Sequence, residues 1–351
     1  MQSCTLLFKY KRKFKILLGH DLLVRFKSCS SISDNFKLNV LFFGTDQFSL
    51  RSLILLDNSA KCKKSKINRL DVVTSFRGKD NPVKQYAEKN GIDCCDWLTL
   101  KSNSAKIKYD LGVVVSFGHL IPENIINMFP HGMINVHASL LPRWRGASPI
   151  IYAILNEDAI TGVSIMKIHP YKFDVGEILA QKEVEIQKNV LMPNLHETLA
   201  NEGAQLLLDC IEHAPDSFQK VREQNNSGAT YAPKVPESMA QINWQVMTAR
   251  YVCNLYRALY SFKWLTTYWH KRRVKIRELD LSSDTTEEAN PVKRPGCVEY
   301  DKANKCLRVY CSDGHFIRIK QLVLEGKSVM SAADFNNGFL KKVDPTQRIF
   351  T

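Results

Sequence analysis

The chain has 351 residues, of which 44% are apolar, and a formal net charge of +14 at pH 7. That length suits about two globular domains, and because no uninterrupted apolar run approaches the roughly 20 residues of a membrane span, no membrane-spanning segment is expected. The ten cysteines form no CxxC pair, which favours reduced thiols and argues against a bound metal.

The N-terminal segment is basic. Residues 1–38 contain eight Lys and Arg against two acidic residues and are rich in Ser and Leu. This composition is typical of a mitochondrial presequence, which we predict to span residues 1–35 and to direct the protein to the mitochondrial matrix. A disordered basic arm that binds nucleic acid is the alternative, and the excess of Lys over Arg leaves it open.

The region that follows is electrically neutral, with 22 basic and 22 acidic residues between positions 39 and 237. Apolar runs and helical patterns alternate along it. This alternation predicts an α/β domain with a Rossmann-like parallel sheet, and ligands of such sheets bind beyond the carboxyl ends of the strands. The predicted strands are 38–43, 71–76, 112–116, 133–137, 162–169 and 177–186, and the predicted helices are 47–57, 83–90, 122–128 and 148–155.

One short motif lies at such a strand end. Asn135 and His137 project from the same side of the fourth strand because side chains alternate with period two. An Asn amide can stabilise an oxyanion and a His can move protons near neutral pH, while Asp174, in a later loop, could hold that His in its cationic form. This trio suits acyl transfer without a Ser or Cys nucleophile. A hydrogen-bonded turn is the alternative, but the run 139–146 (SLLPRWRG) is too apolar for a solvated loop.

Two glycine-containing turns follow other strands. Gly44-Thr45 follows the first strand, but the chain has no GxGxxG sequence, which disfavours a nicotinamide enzyme. Phe117 and Gly118 follow the third strand, and we expect them to line a pocket because Gly permits close backbone approach to a flat ligand. A plain turn is the alternative for this pair.

The C-terminal third is basic again, with 19 Lys and Arg against 11 acids in residues 238–351. A helix over 244–260 and short strands at 266–270, 274–279, 297–300, 307–311 and 316–324 predict a small barrel. Basic residues cluster on one hairpin beside Trp264, Tyr268 and Trp269, which indicates a surface for a phosphate backbone, although a merely solvated face is the alternative. These basic residues are Lys271, Arg272, Arg273, Lys275 and Arg277.

Several segments together resemble the folate-dependent formyltransferases. SFGHLIPENII, INVHASLLPRWRGASPI, TGVSIMKI and KFDVGEILAQ carry the resemblance in the neutral region, and GATYAPKV, INW and MSAADFNNG carry it in the C-terminal third. The resemblance extends from residue 38 to about residue 340 and is strongest to the branch whose acceptor is methionyl-tRNA. It implies a catalytic domain at 38–225, a linker at 226–241 and an OB-like tRNA-binding domain at 242–345, in a protein that we expect to be a monomer.

The resemblance also implies a reaction. The donor would be 10-formyltetrahydrofolate, with its pterin in a pocket formed by Phe117, Gly118 and the run Ser139, Leu140, Leu141 and Pro142. The α-amino group of methionyl-tRNA would attack the formyl carbon directly, and the product would serve initiation of mitochondrial translation. Asn135 and protonated His137 would stabilise the oxyanion, and Asp174 would keep His137 charged. No metal is required.

The resemblance further implies tRNA contacts at Arg77, Lys79, Lys234 and the triplet Lys271, Arg272 and Arg273. Bacterial members carry a long basic loop after the second strand, whereas here residues 76–82 pass almost directly to the next helix. We therefore expect tRNA recognition to depend less on that loop and more on the methionine itself. A second departure is Asp46, which stands where the family usually has Pro after Gly-Thr.

Three other functions share part of this pattern. A formyltransferase acting on glycinamide ribonucleotide or a nucleotide sugar, or a formyltetrahydrofolate hydrolase, would keep Asn135, His137 and Asp174 but would not need a basic second domain. A non-catalytic tRNA-binding protein would keep the barrel and lose the site, and here the site is intact.

Overall fold

The computed structural model describes residues 36–77, 81–102, 108–281, 289–290 and 292–351. The predicted presequence at 1–35, Lys79 and most of the segment 284–294 lie outside the described residues.

The first sheet has seven strands in the order β3-β2-β1-β4-β5-β6-β7. The pairings among the first five strands are parallel, and β6 and β7 add two antiparallel strands at one edge. This arrangement confirms the predicted Rossmann-like parallel sheet. The strands are β1 (Leu38–Gly44), β2 (Ile67–Thr74), β3 (Cys94–Asp96), β4 (Leu111–Val115), β5 (Met133–His137), β6 (Ile160–Lys167) and β7 (Ile178–Glu185).

Nine α-helices are present in the described residues. The long helix α6 packs on α1 across one face of the sheet. They are α1 (Gln47–Ala60), α2 (Pro82–Asn90), α3 (Trp97–Ser102), α4 (Glu123–Ile126), α5 (Pro149–Leu155), α6 (Met192–Glu212), α7 (Asp216–Gln219), α8 (Ala249–Leu259) and α9 (Ala332–Gly338).

The unusual Asp46 has a local structural role. Its side chain accepts a hydrogen bond from the backbone N–H of Ser49, and the Ser49 hydroxyl accepts one from the backbone N–H of Asp46. This reciprocal capping box satisfies two backbone donors that a helix start otherwise leaves unpaired. A Pro at position 46 could provide neither half of it.

Several parts of the secondary-structure prediction were wrong or incomplete. The elements β3, α3 and α9 were not predicted, and β2 begins at Ile67 rather than at residue 71. The helix expected over 244–260 begins only at Ala249, because the Thr248 side chain caps it and Trp244 is buried in the preceding turn, where its indole N–H donates to Thr267. No element was predicted for 187–225, which contains α6 and α7.

The alternation along β5 determines what the site faces. Ile134 and Val136 point into the main core, while Met133 packs in a second cluster on the opposite face with Trp97 and Phe117. Asn135 and His137 share the face of Met133 because side chains alternate. The predicted pair is therefore presented together at the carboxyl end of a buried strand.

The second sheet has six antiparallel strands in the order β10-β11-β12-β9-β8, with β13 paired to β12. It confirms the predicted OB-like barrel. His270 and Lys271, with φ of 45° and 67°, form the two-residue turn between β8 and β9, as a type I′ hairpin requires. The strands are β8 (Thr266–Trp269), β9 (Arg272–Leu279), β10 (Val298–Asp301), β11 (Cys306–Tyr310), β12 (Phe316–Leu324) and β13 (Val329–Ser331).

A polar cluster joins the two sheets where α8 packs on α5. The carboxylate of Glu157 accepts hydrogen bonds from Arg250 and Asn254, and the Asn254 oxygen accepts one from the buried Arg257 at 2.6 Å. Burial by itself would raise the pKa of Glu157, but these hydrogen bonds and the Arg250 and Arg257 charges outweigh it and lower that pKa. Ionised Glu157 therefore stabilises the junction.

We expect Glu157→Gln to reduce the free energy of unfolding by about 1 kcal/mol at pH 7, the lower part of the range for a charged hydrogen bond, because Glu157 is partly solvated. A carboxylate with a lowered pKa contributes its stability above the ordinary Glu pKa and loses it as the pH falls through the lowered value. Urea unfolding at pH 7 and pH 3 would measure both effects. Glu197→Gln, which breaks an exposed ion pair with Arg51, is the matched control. A pH-independent difference for Glu157→Gln would contradict the expectation.

Candidate active site

Asn135 presents an open amide from the middle of β5. Its side chain is half-buried and hydrogen-bonds to no other described residue, while its backbone is fixed between Val114 of β4 and Met166 of β6. Strand pairing on both sides holds the backbone of Asn135 in place. Asn135 is thus available to donate to a ligand.

Both ring nitrogens of the buried His137 have neighbours. Nε2 lies 2.9 Å from the carbonyl oxygen of Trp144, and since a carbonyl only accepts, Nε2 carries a proton and donates it. Nδ1 lies 3.6 Å from Oδ1 of Asp174, which is an ion-pair distance rather than a hydrogen bond. That contact is attractive only with a proton on one of the two atoms, so the arrangement suits an imidazolium beside a carboxylate.

Asp174 is held by its second oxygen. Oδ2 accepts a hydrogen bond of 2.8 Å from the backbone N–H of Gly146, and only 11% of the side chain is exposed. The residue has φ of +56°, a left-handed conformation that Asp adopts more readily than most residues. The loop between β6 and β7 is therefore turned inward, towards His137.

The run that follows β5 is fixed from the other side by residues beyond the first sheet. The backbone N–H of Arg145 donates to Thr230, and the carbonyl of Arg145 accepts from Ala232 at 2.7 Å. Gly146 has φ of +122°, and a Cβ there would lie 2.6 Å from the carbonyl oxygen of Ala232. The close approach of the two segments requires glycine at position 146.

Sequence reasoning missed two residues that support the site. The guanidinium of Arg145, a residue only 5% exposed, donates to the side-chain oxygens of Gln224 and Asn226, at 2.7 and 2.8 Å. The Gln224 amide in turn donates to the carbonyls of Asp174 and Gly176. A continuous hydrogen-bond chain therefore joins the run after β5 to the Asp174 loop. Gln224 stands in a polar stretch without periodicity, so no sequence signal indicates it.

Hydrogen bonds hold the predicted folate-binding run, residues 139–142, against β6 and β7 at the edge of the first sheet. The hydroxyl of Ser164 donates to the Ser139 carbonyl at 2.6 Å and accepts from the backbone N–H of Leu141, and the Gln181 amide donates to the Leu141 carbonyl. Ser139 and Leu141 are buried, whereas Leu140 and Pro142 are partly exposed. Among the four residues of this run, only Leu140 and Pro142 have side-chain surface that a ligand could contact.

Phe117 and Gly118 also differ in exposure to solvent. Phe117 is 3% exposed, and its ring packs 5.4 Å from that of Phe43 and 5.3 Å from that of Trp97. Gly118 is exposed with φ of +74°. In this geometry Phe117 supports the pocket from beneath, and the surface that a ligand could touch belongs to Gly118.

Comparisons with known proteins show which family the chain belongs to. Residues 38–211 match the Formyl transferase family, and residues 234–340 match the Formyl transferase, C-terminal domain family. The chain is 39% identical over 308 residues to the human mitochondrial methionyl-tRNA formyltransferase, covering 86% of this chain and 77% of that relative. The chain belongs to the formyl transferase family.

Two further matches extend the comparison. A methionyl-tRNA formyltransferase of Coxiella burnetii is 33% identical over 327 residues, which cover 89% of this chain and 99% of the bacterial one. A crystal structure of a sugar 3N-formyl transferase, solved in the presence of dTDP and 5-N-formyl-THF, has a TM-score of 0.59 at 17% identity, covering 83% of this chain and 99% of that one. The structural match shows a shared fold.

The basic hairpin of this formyl transferase lies on the second sheet. Lys271, Arg273, Lys275 and Arg277 are exposed, and Arg272 is half-buried and donates to the Glu325 carbonyl. The Arg277 guanidinium lies 4.1 Å from the ring centre of Trp264, which helps to line a cleft of about 380 Å³. Trp269 pairs with Arg272 across the hairpin, but its side chain is buried, so the expectation that it contributes to the basic surface was wrong. It points inward from β8 and packs against Phe335 and Phe350.

The remaining predicted tRNA contacts are dispersed along the first sheet and the segment after it. Lys234 is exposed two residues beyond Ala232, in the stretch that pairs with the run after β5. Arg77 is exposed after β2 beside Phe76, which is 42% exposed. Arg77, Lys234 and the hairpin lie on different elements of the fold. Their positions relative to Asn135 and His137 therefore depend on the tertiary structure.

The described residues of this formyl transferase contain neither a metal-binding cluster nor a disulfide bond. Across the described ranges, no three His, Cys, Asp or Glu side chains group in a way that could hold a metal ion. The eight cysteines in the same ranges are free thiols. None of the helices in the described part of the chain is both long and apolar enough to cross a membrane.

Proposed function

We propose that this formyl transferase moves the formyl group of 10-formyltetrahydrofolate to the α-amino group of methionyl-tRNA, for initiation of translation in the mitochondrial matrix. The observation that carries the proposal is the open amide of Asn135 beside the His137–Asp174 pair. The similarity to methionyl-tRNA formyltransferases along most of the chain supports this acceptor.

The proposed reaction needs no protein nucleophile. An α-amino group titrates near pH 8, so a useful fraction is neutral at physiological pH and can attack the formyl carbon. A new C–N bond forms to the amine, the C–N bond to the folate breaks, and one proton moves from the attacking nitrogen to the departing folate nitrogen. The group that requires stabilisation is the tetrahedral oxyanion between these steps.

Asn135 and His137 are assigned to that oxyanion. The Asn135 amide has no competing partner among the described residues and can donate to the oxyanion without breaking an existing bond. The Nε2 proton of His137 is engaged by the Trp144 carbonyl, so the proton at Nδ1 is the one that the substrate and Asp174 share. Asp174 would hold the imidazolium charge and help to relay the proton between the two nitrogens.

The donor and acceptor surfaces follow from exposure and charge. Leu140, Pro142 and the backbone of Gly118 would contact the pterin, with Ser139, Leu141 and Phe117 as the supporting layer. The tRNA would contact Lys234 and the exposed hairpin, with Arg77 and Lys79 near the acceptor stem. The hairpin contributors are Lys271, Arg272 and Arg273. The catalytic domain would span 38–225, the linker 226–241 and the tRNA-binding domain 242–345.

The cellular setting forms part of the same proposal. The human relative is a mitochondrial protein by name, and residues 1–35 have the composition of a presequence. The mature protein would act in the matrix as a monomer. None of the proposed steps requires a metal.

The test is mass spectrometry of one tRNA, charged with methionine or with another amino acid and incubated with the protein and 10-formyltetrahydrofolate. We expect N-formylmethionyl-tRNA to form, and the non-methionyl version to react at least about 10-fold more slowly, because the short segment after β2 leaves recognition to the methionine. Equal rates would refute the selectivity. Release of formate from the donor without any formylated tRNA would instead indicate the hydrolase.

A further inference from the structure

Three aromatic side chains project into solvent beside the active site. Tyr171, Tyr231 and Phe173 are 76%, 67% and 64% exposed, more than any other Phe, Tyr or Trp in the described residues. A single exposed aromatic residue is common on a protein surface, whereas a group of them at one place marks a binding surface.

Hydrogen bonds of neighbouring residues bring Phe173 and Tyr231 to the same peptide. Phe173 directly precedes Asp174, whose carboxylate accepts from the backbone of Gly146. Tyr231 lies between Thr230 and Ala232, the two residues that bond the backbone of Arg145. Phe173 and Tyr231 therefore flank the same Arg145–Gly146 peptide from its two sides.

Tyr171 is anchored on the outer part of the same loop. Its hydroxyl donates to the carboxylate of Glu123 at the start of α4, at 2.7 Å, and its backbone has φ of +65°. A ring fixed at its hydroxyl cannot fold into the core. All three rings thus stay on the rim of the site, and we call Tyr171, Phe173 and Tyr231 the aromatic rim.

The chemical structure of the acceptor indicates which of its groups would contact the aromatic rim. In an aminoacyl-tRNA the attacking amine is joined through its Cα, the carbonyl and one ester oxygen to the ribose of the 3′-terminal nucleotide. When the amine reaches Asn135 and His137, the terminal base must therefore lie at the mouth of the site. Unpaired bases stack on exposed aromatic side chains, and Lys234, three residues after Tyr231, offers a cation for a nearby phosphate.

We infer that the aromatic rim stacks the unpaired 3′-terminal bases of the aminoacyl-tRNA and so delivers its amine to Asn135 and His137. The inference rests on the proposed function and names the surface that receives the acceptor end. The pterin of the donor is also a flat ring, and the experiment separates the two ligands.

The first test places the fluorescent base analogue 2-aminopurine at the 3′ terminus of methionyl-tRNA, where stacking on a ring quenches its fluorescence. We expect saturating wild-type protein to quench it, and Tyr231→Leu and the double variant Phe173→Leu/Tyr231→Leu to lose most of the quenching. Phe262→Leu is the matched control, because Phe262 is 53% exposed and lies after α8, outside the rim. Full quenching by the double variant would overturn the inference.

The second test is steady-state kinetics of the same variants. Stacking contributes roughly 1–3 kcal/mol per base, so the KM for methionyl-tRNA should rise about 5-fold to 150-fold while the KM for 10-formyltetrahydrofolate changes less than about 2-fold. A raised donor KM with an unchanged tRNA KM would assign the rim to the pterin and overturn the inference. Failure of the wild-type protein to formylate methionyl-tRNA would refute the proposed function itself. Wild-type kinetics in the rim variants would refute the role of the aromatic rim in base stacking but not the proposed function.

Discussion

Replacing His137 with Ala is expected to lower kcat for formyl transfer by about 1,000-fold. In the proposed mechanism the variant removes an oxyanion donor, typically worth about 100-fold to 1,000-fold, together with the group proposed to relay the proton. It also leaves the Trp144 carbonyl and Asp174 without the partner that now lies between them. Single-turnover formylation of methionyl-tRNA, with both substrates saturating, measures the effect.

Two further variants distinguish a loss of the proposed catalytic group from a loss of the fold. His137→Gln keeps a neutral side chain that can donate to the Trp144 carbonyl, so it should retain the fold and still be strongly impaired. His213→Ala removes an exposed imidazole at the end of α6 and should leave the rate unchanged. Near-wild-type turnover by a folded His137→Ala protein would exclude His137 from the chemistry.

The second large effect is expected for Asp174→Asn, which should lower kcat by about 100-fold with little change in either KM. The amide oxygen of Asn can still accept from Gly146, so the loop stays in place. What is lost is the negative charge 3.6 Å from Nδ1 of His137, which the proposed mechanism uses to stabilise the positive charge on the ring in the transition state. The loss therefore falls on the transition state rather than on substrate binding.

Glu177→Gln is the matched control for Asp174→Asn. Glu177 lies at the other end of the same loop, where its carboxylate pairs with Lys167 at 2.7 Å and does not contact His137. It should keep kcat within about 2-fold. Equal losses in both variants would mean that loop stability, and not the charge beside His137, decides the rate.

The chain Arg145–Gln224–Asp174 explains why the loop can hold this geometry. A left-handed Asp in a solvated loop would be free to turn outward, but here its carbonyl accepts from Gln224 while its carboxylate accepts from Gly146. Gln224 is itself oriented by the guanidinium of the buried Arg145. The segment between the two sheets thus helps to build the catalytic centre of the first.

Local sequence was sufficient for much of this description. The alternation of β5 places Asn135 and His137 on one face whatever surrounds them, because a strand has period two. The alternation of apolar runs with helical patterns was sufficient to predict the parallel sheet. The helix α6 also carries its own signal, since Leu195, Leu199, Gly203, Leu207 and Ile211 are buried at steps of four residues, although it was not predicted.

Other features depend on residues that are distant in sequence. The partner of His137 Nε2 is a carbonyl seven residues away, and the support of Asp174 comes from a residue 50 positions later. Trp269 was expected on the basic surface, but the register of β8 turns it into the core and leaves Tyr268 outside. Composition contains no register, so the basic hairpin was predicted and one of its three aromatic neighbours, Trp269, was misplaced.

The sequence by itself determined the fold class, the family and the pairing of Asn135 with His137, because these follow from short-range periodicity and from motifs that are contiguous in the chain. Only the tertiary structure decided that Asn135 is open while His137 has a neighbour at each nitrogen, and that Phe173 and Tyr231 flank the Arg145–Gly146 peptide. The physical reason is that hydrogen bonds and exposure depend on which segments meet in space.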